Sequence, residues 1–209
     1  MKKLLVLLLI FFAIPNLKAQ SFEGKITSQN AIKSKLTNIT DAQFSSMMGT
    51  RQEYFIKGGN YKSVTNGTMS PWQLYINKGN KLYNKMTSVE TIYWIDATSN
   101  DDSVLEFKLE KGAMNILGYT CDRLVLTCKS GTQQYFFDSK LAVDPKLYQN
   151  HKYGNWYEYL KLAKAVPLKI IIDTAQFTLE SIAIEVKAMK LDEREFQLPE
   201  NAKTMKSPY

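Results

Sequence analysis

The stretch "RQEYFIKGGNYKSVTNG", residues 51–67, decides the fold class. Two runs that alternate with a period of two flank Gly58 and Gly59, which adopt positive φ without a steric penalty, so the stretch predicts a β-hairpin. "WQLYINKGNKLYNKM", residues 72–86, repeats the pattern with "NKGN" as its turn. Further alternating segments, separated by Gly, Asn, Asp or Ser, follow at residues 90–96, 103–110, 118–130 and 132–139. Short connections of this kind predict an antiparallel meander.

Two stretches interrupt the alternation and predict short helices. Thr40 or Asp41 can cap a helix that carries Phe44, Met47 and Met48, and Gly49 suits the end of that helix. "NWYEYLKLAKA", residues 155–165, has apolar side chains at helical spacing. The chain is therefore predicted to be mainly β with two or three helices.

The ends of the domain are predicted to be strands. Residues 21–29 form the first, and residues 167–173 and 177–191 form the last two. A shift of parity between Leu179 and Ile182 suggests a bulge in the final strand. The tail, residues 196–209, is predicted to be the end of a strand followed by a flexible terminus.

The N-terminal stretch "MKKLLVLLLIFFAIPNLKAQ" predicts an exported protein. Lys2 and Lys3 precede an apolar run that is shorter than the roughly 20 residues a membrane-spanning helix needs. We therefore predict a signal peptide over residues 1–19, cleavage near Ala19, and one domain over residues 20–209 that is periplasmic or secreted.

The charge of the chain argues against a nucleic-acid partner. Loss of residues 1–19 would lower the formal net charge from +7 to about +4, and the remaining lysines are scattered rather than clustered. A peripheral contact with an anionic membrane surface is compatible with this charge.

Cys121 and Cys128 are the two cysteines of the chain, and the segment between them alternates as a strand does. In an extended strand their α-carbons would lie roughly 23 Å apart, whereas a disulfide requires about 7 Å or less. We predict neither a disulfide nor a shared metal. The alternation predicts that Cys128 points toward the core with Leu124 and Leu126, and that Cys121 points away from it.

The remaining inventory offers little chemistry. His151 is the single histidine, so a site with two histidine ligands is unavailable and His151 is predicted to be a loop residue. There is no G-x-S-x-G elbow and no phosphate-binding loop. Asp101 and Asp102 are interpreted as part of a polar turn, and neither they nor the nearby Glu106 are predicted to act as paired catalytic carboxylates. The prediction is a protein that is not an enzyme, with no catalytic residue, no metal and no cofactor.

Four segments carry a resemblance to a known group: "ILGYTCDRL" (116–124), "YFFDSKLAVDP" (135–145), "NWYEYLKLAKAVPLKIII" (155–172) and "FQLP" (196–199). They resemble exported domains of unknown function from Gram-negative envelopes. These domains are similar to the periplasmic lipoprotein carriers and outer-membrane lipoprotein-sorting proteins of the LolA/LolB-like superfamily. The resemblance implies a curved antiparallel sheet that forms an incomplete, or half, β-barrel with helices on its concave side.

Together these observations predict a protein that binds a lipid, an acyl chain or a lipidated protein in an apolar cavity. The predicted lining is the apolar face of the meander strands, with the alternative that these residues only fill the core: Trp72, Leu74, Ile76, Leu82, Ile92, Trp94, Leu124 and Leu126. A competing prediction is a fully packed interaction module that docks on an envelope protein. In that case Tyr75, Tyr83 and Tyr93 would form a surface ladder across neighbouring strands.

Overall fold

The computed structural model describes residues 21–208, so the predicted signal peptide lies outside the described residues. The twelve strands of this part form one curved, unclosed sheet, an open half-barrel, as the sequence predicts. The strands are β1 (Gly24–Ser34), β2 (Arg51–Lys57), β3 (Asn60–Thr65), β4 (Trp72–Ile76), β5 (Lys81–Lys85), β6 (Ile92–Asp96), β7 (Val104–Ile116), β8 (Tyr119–Cys128), β9 (Gly131–Ala142), β10 (Ala165–Thr174), β11 (Phe177–Ala188) and β12 (Thr204–Lys206).

The strand order across the sheet is β12-β6-β5-β4-β3-β2-β1-β11-β10-β9-β8-β7. Consecutive strands pair antiparallel, and β1 pairs with β11, which joins the two halves of the meander. The short β12 is the exception, because it runs parallel to β6.

The predicted turns and helices are present. Gly58 and Gly59 have φ values of 54° and 88° between β2 and β3, which confirms the hairpin. Helix α1 (Asp41–Met48) begins with a capping box at Thr40 and ends at Gly49. Helix α2 (Trp156–Ala163) confirms the second predicted helix. None of the helices in residues 21–208 is long and apolar enough to cross a membrane.

The main core lies between the sheet and α2, whose Tyr159 and Leu160 are fully buried. Helix α2 contacts β8, β9 and β10. We call the side of the sheet that α2 and residues 145–155 cover the inner face. A second, smaller core cluster combines Leu74 with Leu191 and Phe196.

That second cluster corrects the expectation of a flexible tail. The segment after β11 packs through Leu191, Phe196 and Leu198 against β4, and the chain then adds β12 to the sheet edge. The predicted bulge is also misplaced: pairing between β1 and β11 is regular from Phe177 to Ala183 and shifts at Ile184, which is the extra residue.

Cys121 and Cys128 lie on the single strand β8, as predicted, and both are free thiols. The prediction that Cys121 faces away from the core is wrong, because Cys121 is fully buried in the same cluster as Cys128. The pairing of β7 with β8 shifts register between Glu110 and Met114, which is the partner of Cys121. Simple alternation counted from Cys128 therefore does not extend to Cys121.

Candidate binding cavity

Strand register assigns each predicted residue to a face of the sheet, because directly paired residues share a face. Tyr75 pairs with Tyr61 and with Leu82. Leu74 pairs with Tyr83, which pairs with Trp94. Leu82 and Leu74 therefore lie on opposite faces, and the common apolar face expected for β4, β5 and β6 is wrong.

The eight predicted lining residues consequently separate into three groups. Leu82 lines the cavity described below, and Leu124 and Leu126 are fully buried in the main core. The others lie on the outer face. Trp72, Leu74 and Ile76 pack with the C-terminal segment, Ile92 is buried, and Trp94 is half-buried beneath the Lys81 ammonium, 3.9 Å from the ring centroid. Ligand binding by any of the eight stays a prediction.

The tyrosines are also arranged differently from the predicted surface ladder. Tyr75 is 0% exposed, so a partner protein cannot reach it in the folded state. Tyr83 lies on the outer face. The stacked series on the inner face is instead Tyr54–Tyr61–Tyr75, with ring centroids 5.2 Å apart at each step.

The inner face forms a partly open cavity of about 230 Å³. Its floor consists of sheet residues and its roof is formed by residues 151–156. Part of the wall is apolar: Ile26, Leu82, Pro167, Leu168 and Ile170. The polar part combines aromatic side chains with small polar ones: Tyr54, Tyr61, His151, Tyr153, Trp156, Ser28, Gln52, Ser63, Gln73 and Ser181, and Gly154 completes the lining.

His151 forms the centre of the roof. Its Nε2 lies 2.8 Å from the Tyr61 hydroxyl, and its ring centroid lies 4.2 Å from that of Tyr75. Burial lowers the pKa of His151 to about 4, so the imidazole is neutral near pH 7. The same burial raises the pKa of Tyr54 and of Tyr61 well above 10, and neighbouring tyrosines add to the effect.

Three polar atoms of the lining residues are buried without a hydrogen-bond partner among residues 21–208. They are the Tyr54 hydroxyl, His151 Nδ1 and Trp156 Nε1. A buried polar group left unpaired costs about 1–3 kcal/mol. A guest that brought a hydrogen-bonding group to one of these atoms would recover part of this cost.

A left-handed turn positions Trp156 in the roof. Gly154 and Asn155 both have φ of 62° immediately before α2. The Asn155 side chain holds this conformation, since it accepts a hydrogen bond from Asn100 Nδ2 (2.8 Å) and donates one to Cys128 Sγ (3.3 Å). The turn thereby fixes the start of α2 and the indole that follows it.

Tyr153 and Gly154 separate the cavity from a neighbouring surface groove of about 780 Å³, because they line both. Tyr93 and Ile95 contribute to the groove. Its charged residues are Asp96, Asp101, Asp102 and Lys206, so carboxylates outnumber the cation there. Within residues 21–208 no group of three or more His, Cys, Asp or Glu side chains is placed to hold a metal ion.

Apart from Leu82, the residues that build the cavity differ from the predicted lining. No residue of β2 or β3 was predicted to line it, so Tyr54 and Tyr61 were not expected there, and His151 was predicted to be a loop residue. The signal that could have found them is the aromatic density of "HKYGNWYEY", residues 151–159, beside the tyrosines of β2 and β3.

An open half-barrel with a partly open cavity on its inner face is thus the class of structure that the chain defines. Among solved structures, the chain is similar to PNGF-II, which was solved in two crystal forms, with 13% sequence identity and TM-scores of 0.48 and 0.49. The two matches cover 90% of this chain, and 32% and 31% of the PNGF-II chain, respectively. The chain thus spans about a third of the length of PNGF-II. A LolA superfamily protein from Nitrosomonas europaea is 12% identical with a TM-score of 0.39, over 86% of this chain and 91% of that chain. No protein-family model and no curated protein matches the chain.

Proposed function

We propose that this protein is a non-catalytic, exported envelope protein that binds one chain of an amphiphilic molecule, such as an acyl chain of a lipid, in the inner-face cavity. The observation that supports this most is the composition of the cavity wall. An apolar floor around Leu82 and Leu168 faces a roof that carries unpaired polar atoms of His151 and Trp156. A guest with a hydrocarbon body and a neutral polar group would complement both parts.

The size of the cavity limits the guest. At about 230 Å³ it lies below the roughly 300–1,000 Å³ of sites that hold drug-sized ligands. It would accommodate a single chain segment rather than a whole lipid. Each buried methylene would contribute about 0.8 kcal/mol, and the rest of the molecule would extend past Tyr153 into the neighbouring groove.

The charges of the site favour a neutral group at the buried end. No Lys or Arg lines the described cavity, and His151 is neutral near pH 7 because burial lowers its pKa to about 4. An ionised carboxylate placed there would remain unpaired, which is strongly unfavourable in an apolar surrounding. A hydroxyl, ester or amide could instead bond to the Tyr54 hydroxyl or Trp156 Nε1.

The first experiment is native mass spectrometry of the protein isolated from its own cell envelope. We expect a mass increment that disappears on solvent extraction and corresponds to an amphiphile. The bare mass alone, in protein that is folded by circular dichroism, would contradict the proposal.

A second experiment locates binding in the cavity. The half-buried Trp72 and Trp94 lie on the outer face, so in a Trp72→Phe/Trp94→Phe background the fluorescence of Trp156 reports on the roof. We expect a medium-chain alcohol to change this fluorescence with saturation. The Ser181→Leu variant, which fills the cavity wall, should abolish the change. The matched Ser139→Leu variant, at an exposed position outside the lining, should not, and equal affinity of both variants would refute the assignment.

A further inference from the structure

Strand β7 is an exposed edge of the sheet. It is the last strand in the sheet order and pairs with β8 alone, so one row of its backbone N–H and C=O groups faces outward. Such an edge is a template for pairing with another strand. Every residue from 105 to 112 is exposed.

The two faces of this edge differ in character. Phe107 and Leu109 share one face and are 56% and 44% exposed. Leu105, which is 66% exposed, precedes them as the extra residue of a bulge, because the pairing of β7 with β8 shifts between Val104 and Glu106. Phe107 and Leu109 pair with Leu126 and Leu124 of the main core, so an apolar surface continues from the core to the sheet edge without cover. The opposite face carries Glu106, Lys108 and Glu110, which alternate in sign.

Two charged side chains of β7 take no part in the ion pairs among the described residues. Glu110 pairs with Arg123, and Lys111 pairs with Asp122. Glu106 and Lys108 have no ion-pair partner within residues 21–208, and they stand two positions apart, on either side of Phe107.

We propose that β7 pairs antiparallel with β7 of a second copy of this chain, around a twofold axis at Phe107. This register places Glu106 of each copy opposite Lys108 of the other, and it brings the bulged Leu105 next to Leu109. Phe107 then lies opposite its own counterpart. The two unpaired charges thus receive partners of opposite sign, and the exposed apolar residues cover one another.

No register with its axis at a neighbouring residue pairs opposite charges and apolar side chains in this way. An axis at Lys108 would place the two Lys108 side chains opposite each other and Glu106 opposite Glu110, which are like-charge pairs and destabilising. An axis at Leu109 would place Phe107 opposite Lys111. An axis at Leu105 would place Phe107 opposite Ser103. The interface is self-complementary, as a closed twofold contact requires.

Charge reversal tests the pairing. We expect the purified protein to sediment with twice the mass of one chain. Glu106→Lys and Lys108→Glu, each alone, should weaken the dimer roughly tenfold or more because both cross-strand pairs then become like-charged. The Glu106→Lys/Lys108→Glu double variant should recover dimerisation, and an equimolar mixture of the two single variants should form the mixed dimer. A monomeric wild-type protein, or single and double variants that weaken the dimer equally, would overturn the proposal.

Oxidative cross-linking tests the register. A Phe107→Cys substitution would place two thiols opposite each other, with α-carbons about 4.5–5.5 Å apart, within reach of a disulfide. In the matched Leu105→Cys variant the two thiols would be about four residues, or roughly 13 Å, apart along the strands. The native cysteines are buried and do not compete. We expect cross-linked dimer for Phe107→Cys only; equal cross-linking of both variants, or of neither, would refute the axis.

Discussion

The single histidine gives a quantitative prediction of how stability depends on pH. His151 is 1% exposed, and burial lowers its pKa from 6.5 to about 4. Its ring faces the phenols of Tyr61 and Tyr75, which stay neutral at acidic pH, and no carboxylate among residues 21–208 hydrogen-bonds to it. Protonation of the folded protein is therefore opposed by desolvation without a compensating charge.

The sign follows from proton linkage. Between about pH 6.5 and pH 4 the unfolded chain binds the proton and the folded chain does not, so the free energy of unfolding falls as the pH falls. The stability that neutral His151 provides is fully present above the unfolded pKa and is lost as pH falls to the folded pKa. The fall in the pKa of His151 from 6.5 to about 4 corresponds to about 3 kcal/mol of unfolding free energy.

The assay is urea unfolding of the wild type and of a His151→Gln variant, each measured at several pH values from about 7.5 to 4. The variant lacks the titrating ring, so the difference between the two curves isolates His151 from the carboxylates that titrate in both proteins. We expect the difference in unfolding free energy to change by about 3 kcal/mol over this range.

Because the chain contains one histidine, the imidazole proton resonances in NMR give its folded pKa directly. Parallel unfolding curves for the two proteins, or a folded pKa near 6.5, would refute the reasoning.

Three further predictions concern the turn residues and the thiols. Gly59→Ala should lower the free energy of unfolding by more than Gly58→Ala. The methyl group added at Gly59 (φ 88°) would approach Asn77 Nδ2 to 2.6 Å and Leu147 Cβ to 3.0 Å, whereas a methyl group at Gly58 would meet open space. Equal melting temperatures for the two variants would contradict this. Asn155→Ala should cost about 1–3 kcal/mol in urea unfolding, because it removes the acceptor of one Asn100 Nδ2 hydrogen bond and the donor to the buried Cys128 Sγ. A loss below the error of the measurement would show that the turn before α2 does not depend on that side chain. Cys121 and Cys128, whose pKa values burial raises to about 11, should react with Ellman's reagent at pH 8 only after unfolding; two equivalents of rapid reaction in the native protein would rule out their burial.

The elements of the fold could be predicted from sequence because their signals are local. The double glycine of the first hairpin, the capping residue Thr40 and the helical spacing after Asn155 each determine their own short segment. Period-two alternation likewise identified β8 as one strand. These patterns depend on backbone geometry within a few residues, which the sequence displays directly.

The faces of the sheet could not be predicted in the same way, because alternation separates two faces without saying which one is inside. The apolar side chains of β4, such as Leu74, face outward because Phe196 and Leu191 return from the far end of the chain to cover them. The tyrosine side of β4 faces the cavity instead. Nothing local to residues 72–76 indicates that a segment more than a hundred residues away supplies the cover.

The burial of His151 was unpredictable for a related reason. It lies in a connection between two short 3₁₀ helices, Pro145–Tyr148 and Tyr153–Asn155, and loops are normally exposed. The contact with Tyr61 depends on how residues 145–155 fold over the sheet, which is a long-range property.

The pairing of β1 with β11 has a consequence for how the protein folds. Gly24 lies opposite Ala188, so the seam at the middle of the sheet joins strands from nearly opposite ends of the chain. The first six strands and the next five can each assemble by pairing of strands that follow one another in the chain, with α1 between β1 and β2 and α2 between β9 and β10. The seam must wait until residues 177–188 are available. Contacts of such long sequence separation slow folding. A chain in which residues 177–188 have not yet docked exposes β1 as an unprotected edge, and we expect this interval to be the one in which pairing with other chains is the greatest hazard.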